Sequence, residues 1–181
     1  MKIESPSFTL DDIHSFMSSY REHERDLLAD RLQAVSERLT LLEPLIGTSR
    51  QAGEEWSAHE VLAHIAVVSK FYGVVVHRIA TGQVTDLDLL ESVHMRDVAG
   101  EQMAKLETAE LLKMAVADQE RTLKTLRSAD TESLQRSARI ADGMAMTAEE
   151  FARLPLIGHL EMHVDQLERL LAGDPQAASV E

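Results

Sequence analysis

No cysteine occurs among the 181 residues, which removes disulfides, thiolate metal ligands and a cysteine nucleophile together. Any metal must be held by His, Asp or Glu, and any thiol chemistry needs a thiol supplied from outside. Proline and glycine are scarce, at 4 and 8 residues, and aromatics make up only 4%. Leu, Ala, Glu, Met and Arg take their place, and unbranched side chains of this kind favour helix over strand because they lose little rotamer freedom there. Positive charge is short too: 18 Lys and Arg against 31 Asp and Glu leave a net charge of −13. So acidic a chain repels nucleic-acid phosphates and anionic lipid, and no basic patch with interleaved aromatics offsets it. Neither a nucleic-acid nor a membrane partner is expected. No apolar run approaches the ~20 residues of a membrane span, and Met1 to Pro6 contains no signal-peptide core. The cytoplasm is the expected location.

What is present is enough for a core. Apolar residues make up 44%, a share that argues against disorder, and the length suits one domain better than two. The expected organisation is a single helical domain over 1–181, with residues 1–20 partly an appended segment and 173–181 a flexible tail.

Four stretches carry helical spacing. The first follows Thr9, a natural N-cap with Asp11 and Asp12 behind it, and runs to about Leu42 in one or two pieces before Pro44 and Gly47. The second starts at Ser57, where Ser57 and Glu60 form a capping-box pattern with Trp56 in the staple position. It runs to about Thr81 and ends at Gly82. The third covers about Thr108 to Arg127, with Thr108 read as its cap. The fourth begins near Thr147, paired with Glu150, and reaches Leu171, with a kink or restart expected at Pro155. The connections at about 83–107 and 129–146 are long, so up-down-up-down order does not follow, and neither contains a convincing strand. The fold class is all-α: a four-helix bundle with long crossover connections.

Eight histidines are present, and position chooses among them. With His64 at zero on the second helix, Val75, Val68, Val61, Ile79, Tyr72 and Ile65 fall within about 100° of it. His59 and His77 fall at about 220°, on the far side, and read as solvent-facing. On the fourth helix, Leu170, His163, Leu156, Leu167 and Leu160 fall within about 100° of His159. His159 and His163 thus share a core-facing stripe, and their spacing of four puts two imidazoles within reach of one ion. His59–His64 is no zinc-protease pair, because its gap of five sets the rings about 140° apart. In His159-Leu160-Glu161-Met162-His163 the glutamate faces away, at about 200°.

Two segments resemble the signatures of a known family. Trp56-Ser57-Ala58-His59-Glu60-Val61-Leu62-Ala63-His64-Ile65 is similar to the W-S-x-x-E-v-l-x-H-l motif of the DinB-like (damage-inducible) superfamily. His159-Leu160-Glu161-Met162-His163-Val164-Asp165-Gln166-Leu167 is similar to its second motif, H-x-x-x-H-x-x-Q-[IL]. The resemblance spans about residues 20–172. It implies a four-helix bundle of unusual connection order, often a homodimer, with one divalent metal on three histidines, here His64, His159 and His163. It implies an enzyme that activates a low-molecular-weight thiol, such as mycothiol, bacillithiol or glutathione, for transfer to or isomerisation of a small electrophile. Alternatives are a metal-dependent hydrolase of a small amide or ester, and a non-catalytic stress-related protein that binds metal or ligand. Pro155 and Gly158, just before the second ligand, depart from a regular helix there.

Three neutral imidazoles leave a coordination position open, the pattern of catalytic rather than structural sites. Zinc suits them best, with nickel, iron or manganese as alternatives. A bound water or thiol would have its pKa lowered. No catalytic base is identified: Glu60 reads first as the capping glutamate and His94 as an exposed loop histidine.

Overall fold

The structure is a computed structural model that describes residues 8–46, 56–88, 94, 98–141 and 143–173. The expectations for residues 1–7, Gly47 and the tail beyond Gly173 lie outside the described residues.

Helix α1 is one uninterrupted element, Leu10–Leu42, opened by a capping box in which Thr9 Oγ1 accepts from the Asp12 N–H and Asp12 accepts from the Thr9 N–H. A short 3₁₀ turn, Glu43–Leu45, with Pro44 near its start, ends it. Helix α2, Ala58–Ala80, starts at the Ser57–Glu60 capping box and stops at Gly82, whose φ of 73° is left-handed backbone that suits glycine. Helix α3, Thr108–Ser128, starts one residue earlier than expected: Glu107 is the N-cap and no side chain caps it. The Thr108 hydroxyl is instead turned to His59.

The 129–146 connection contains two small elements. A single turn of helix, α4 (Thr131–Leu134), is capped by Asp130. An antiparallel ribbon, β1 (Ser137–Ala141) and β2 (Met144–Thr147), turns through Gly143 at φ 82°. No convincing strand is legible in this connection, and a two-stranded ribbon is all the sheet there is among the described residues. The ribbon is held from outside its own sequence: Asp86 bridges Arg139, the Leu87 N–H donates to the Arg139 carbonyl, and Ala138 and Ile140 are buried.

The fourth helical stretch is helical without a gap from Ala148 to Leu171 but changes its winding. Helix α5 (Ala148–Phe151) opens at the Thr147–Glu150 capping box, residues Ala152–Gly158 take π-helical winding around Pro155, and α6 (His159–Leu171) resumes the α form. Proline has no N–H to donate, and wider winding is one way for a helix to pass it without stopping.

Helix α2 is the central element. It packs against α3, α5, α6 and the π segment, and α1 packs against α3 and α6. Leu28, Leu32 and Leu39 of α1, Val61, Leu62, Ile65 and Ile79 of α2, Leu111 and Leu126 of α3, and Phe151, Leu156, Leu160 and Leu167 of the last stretch form the core. By length and hydropathy α2 passes as a candidate membrane span, contrary to the sequence reading, but 67% of its most apolar window is buried in the bundle. It is apolar nearly all round because protein covers it on several sides.

On the outer side of α6 the acidic residues pair with α1. Arg31 donates to both Glu161 oxygens, and Arg38 donates to Asp165 and Glu168. The hydrogen bonds that Arg31 donates to Glu161 raise its guanidinium above its usual pKa. Glu161 therefore does face away from the histidine stripe, as the rotation predicts.

Candidate metal centre

His64 lies two turns into α2, and His159 and His163 occupy the first turns of α6. His64 and His159 are half-buried and His163 is buried. Their ε nitrogens converge: His64 Nε2 is 3.1 Å from His159 Nε2, which is 2.9 Å from His163 Nε2. All three ligand atoms lie within 4.8 Å of one another. Nitrogens sharing one tetrahedral ion at bonds of ~2.0–2.1 Å stand about 3.3 Å apart, so the three rings fit such an ion with small adjustments.

Proton counting supports the fit. A neutral imidazole nitrogen has one in-plane position, holding either a proton or a lone pair. Gln166 Oε1 lies 2.8 Å from His163 Nδ1 and can only accept there, which leaves a lone pair on His163 Nε2. His159 Nε2 faces both other nitrogens, and a single proton on it serves only one of them well. Three lone pairs directed at one cation would satisfy all three rings at once.

Trp56 closes one side. Its ring centroid is 4.9 Å from that of His64 and 6.0 Å from that of His163, nearly parallel to the latter. Tyr72, buried, lies 6.1 Å from His159. The position before the cap suggests a staple for Trp56; the indole also lies over the histidines, and its 42% exposure leaves an outer face in solvent.

A family model described as the DinB superfamily matches residues 21–167. The chain belongs to the DinB superfamily. A solved structure titled "Crystal structure of the mycothiol-dependent maleylpyruvate isomerase" has the same fold, with a TM-score of 0.60 over 82% of this chain at 18% identity. The chain spans 60% of that protein's length, so the likeness is one of fold. No curated protein matches the chain in sequence.

The remaining histidines of this DinB chain separate clearly. His77 is exposed, as its rotation predicts. His59 is not: only 4% of it is exposed, with Nδ1 3.1 Å from the Thr108 hydroxyl and Nε2 3.1 Å from the Ala104 carbonyl. The solvent-facing expectation for His59 fails because the chain around residues 104–108 lies over the first turn of α2. His94 is exposed and takes no part in the cluster. Glu60 keeps its capping role: its Oε2 accepts from the Ser57 N–H at 2.8 Å and from the Ser57 hydroxyl at 2.7 Å. The groups that spacing alone did not reveal are Trp56 as a cover, Tyr72 as a neighbour of His159, and Gln166 as the partner of His163. For Gln166 a signal existed, since it is three residues beyond His163 and one helical turn brings such positions together.

Proposed function

We propose that His64, His159 and His163 hold one divalent ion, zinc by preference, and that the protein is a metal-dependent enzyme acting on a small electrophile with a low-molecular-weight thiol. The observation that carries the reading is the convergence of three ε nitrogens, the middle one facing the other two. The ion supplies an open coordination position at which the pKa of a thiol falls. The chain's own residues do the rest. Two elements far apart in sequence present the ligands, so α2 and α6 must stay packed for the site to exist. Trp56 and Tyr72 shield the rings from water on two sides. The protein contributes no thiol, since it has no cysteine, which fits a thiol that arrives as co-substrate. The fold neighbour's title names a thiol of that kind. We read the protein as a single domain working on small molecules in the cytoplasm, and as a homodimer.

The test is a screen of the metal-loaded protein. Mycothiol, bacillithiol and glutathione are each supplied with maleylpyruvate and with a model alkylating electrophile, and ester and amide substrates are run alongside without thiol. Turnover that needs both metal and one thiol supports the proposal. Thiol-independent cleavage of an ester or amide would replace it with a hydrolase. Stoichiometric metal binding without turnover of any of these would favour a non-catalytic metal-binding protein.

A further inference from the structure

Gln166 is 1% exposed on α6, one turn beyond His163. A buried amide is retained at little cost only if its polar atoms are used, because an unmet one loses ~1–3 kcal/mol of solvation. Its oxygen is used on His163: Oε1 to Nδ1 is 2.8 Å, between two buried side chains. The opposite nitrogen of the same ring is the one that joins the histidine cluster. The amide therefore contacts the ring nitrogen that faces away from the cluster, behind the candidate ligand.

We propose that Gln166 is a positioning residue for the metal centre: it holds His163 in the Nδ1–H tautomer and fixes the plane of its ring, so that the Nε2 lone pair points at the ion. The inference rests on the three-histidine reading above and adds a role that the ligand set does not contain. A ring free to change tautomer would spend part of its time with a proton on Nε2, where it cannot ligate. The choice of acceptor has a second effect. A carboxylate in this position would add negative charge behind the ligand and make the imidazole a stronger donor. The amide fixes the ring without that charge, so three neutral ligands leave the ion its full 2+ charge and its strongest pull on whatever occupies the open position. Gln166 touches no substrate in this role and acts only through His163.

The experiment compares wild type with Gln166→Met, which keeps length but replaces the amide oxygen with a weakly accepting thioether, and Gln166→Glu, which keeps the oxygen acceptor. Trp56, the one tryptophan in the chain, lies against two of the three rings and reports occupancy. Cobalt(II) titration followed by indole fluorescence, with zinc in competition against a chelator, gives the affinities. Loss of a hydrogen-bonded partner behind a metal ligand commonly costs 10–100-fold in affinity. Gln166→Met should lose that much while its apo form melts cooperatively, and Gln166→Glu should bind at least as tightly as wild type. In parallel, long-range nitrogen–proton NMR of the wild-type apo protein should find the His163 proton on Nδ1, which tests the inference even if Gln166→Met fails to fold. Wild-type affinity in Gln166→Met, equal losses in both variants, or a proton on Nε2 of His163 in wild type would each overturn it. If wild type itself binds no ion, the three-histidine reading fails and takes this inference with it.

Discussion

His159 Nε2 faces two nitrogen neighbours with at most one proton to offer them, and on the three-histidine reading a shared cation resolves that conflict. Each ring should therefore be indispensable. His64→Ala, His159→Ala and His163→Ala should each lose a stoichiometric ion by elemental analysis, while His77→Ala, on the exposed side of α2, should keep it. His59→Ala separates structure from ligation more sharply. Its ring is buried on Thr108 and the Ala104 carbonyl, so removal leaves those groups without their partner and should cost about 1–3 kcal/mol of stability. The ion should nevertheless be retained. Full retention of metal in His64→Ala would sink the site, because the remaining pair lies on α6 alone.

Between elements, α2 and α3 approach closely at Gly73. A Cβ at Gly73 would meet Thr122 Oγ1 at 2.4 Å, with the Thr122 Cβ at an ordinary 3.7 Å. Thr122 is buried and its hydroxyl already donates to the Asp118 carbonyl. Gly73→Ala should destabilise the bundle by about 1–3 kcal/mol, the usual cost of overpacking. Thr122→Ala should recover much of that loss, a non-additivity that denaturant melts of the two single variants and the double variant would reveal. No feature of the sequence announces this contact, and the contrast with what was legible is instructive. Capping boxes at Thr9, Ser57 and Thr147 depend on residues three apart, so spacing alone finds them. The break around Pro155 was readable for the same local reason, although not that π winding would carry the helix through it. Rotation on each helix sets the three histidines on the faces where their rings converge. It could not tell His59 from His77, which share an angle on α2, because what covers one and not the other comes from residues 104–108. The 137–147 ribbon was likewise illegible, since its outer partners Asp86 and Leu87 lie about 50 residues away. Local chemistry could be read, while coverage by distant chain could not.

For the molecule as a whole, α1 does not fit within a single bundle. At ~1.5 Å per residue, its 33 residues reach well beyond the core, and no residue from Leu10 to Leu27 is buried. Its first half nevertheless carries an apolar seam. Leu10, Ile13, Met17 and Tyr20 follow the alternating three-and-four spacing of a coiled-coil stripe, and they are 73%, 49%, 38% and 50% exposed. Phe16, 68% exposed, flanks the seam and stacks on Tyr20. The next seam position, Glu24, breaks the pattern and turns inward to pair with Arg153 at 2.5 Å, so the stripe stops where the protomer's own contacts begin. Most helical stability in proteins comes from packing an amphipathic face, so an apolar stripe that its own protomer leaves uncovered gains from a partner. A second copy of the same helix matches it, because a two-fold axis would bring the seam onto itself. The expected outcome is a homodimer joined through the N-terminal half of α1, with light scattering at micromolar concentration giving twice the 20.2 kDa chain mass. The double substitution Ile13→Glu with Tyr20→Glu should yield a folded monomer, because these side chains support no core in their own protomer, and the monomer should still bind its ion, whose ligands lie on α2 and α6. A wild-type monomer, or a dimer that survives both charges, would mean that α1 does not pair in this way.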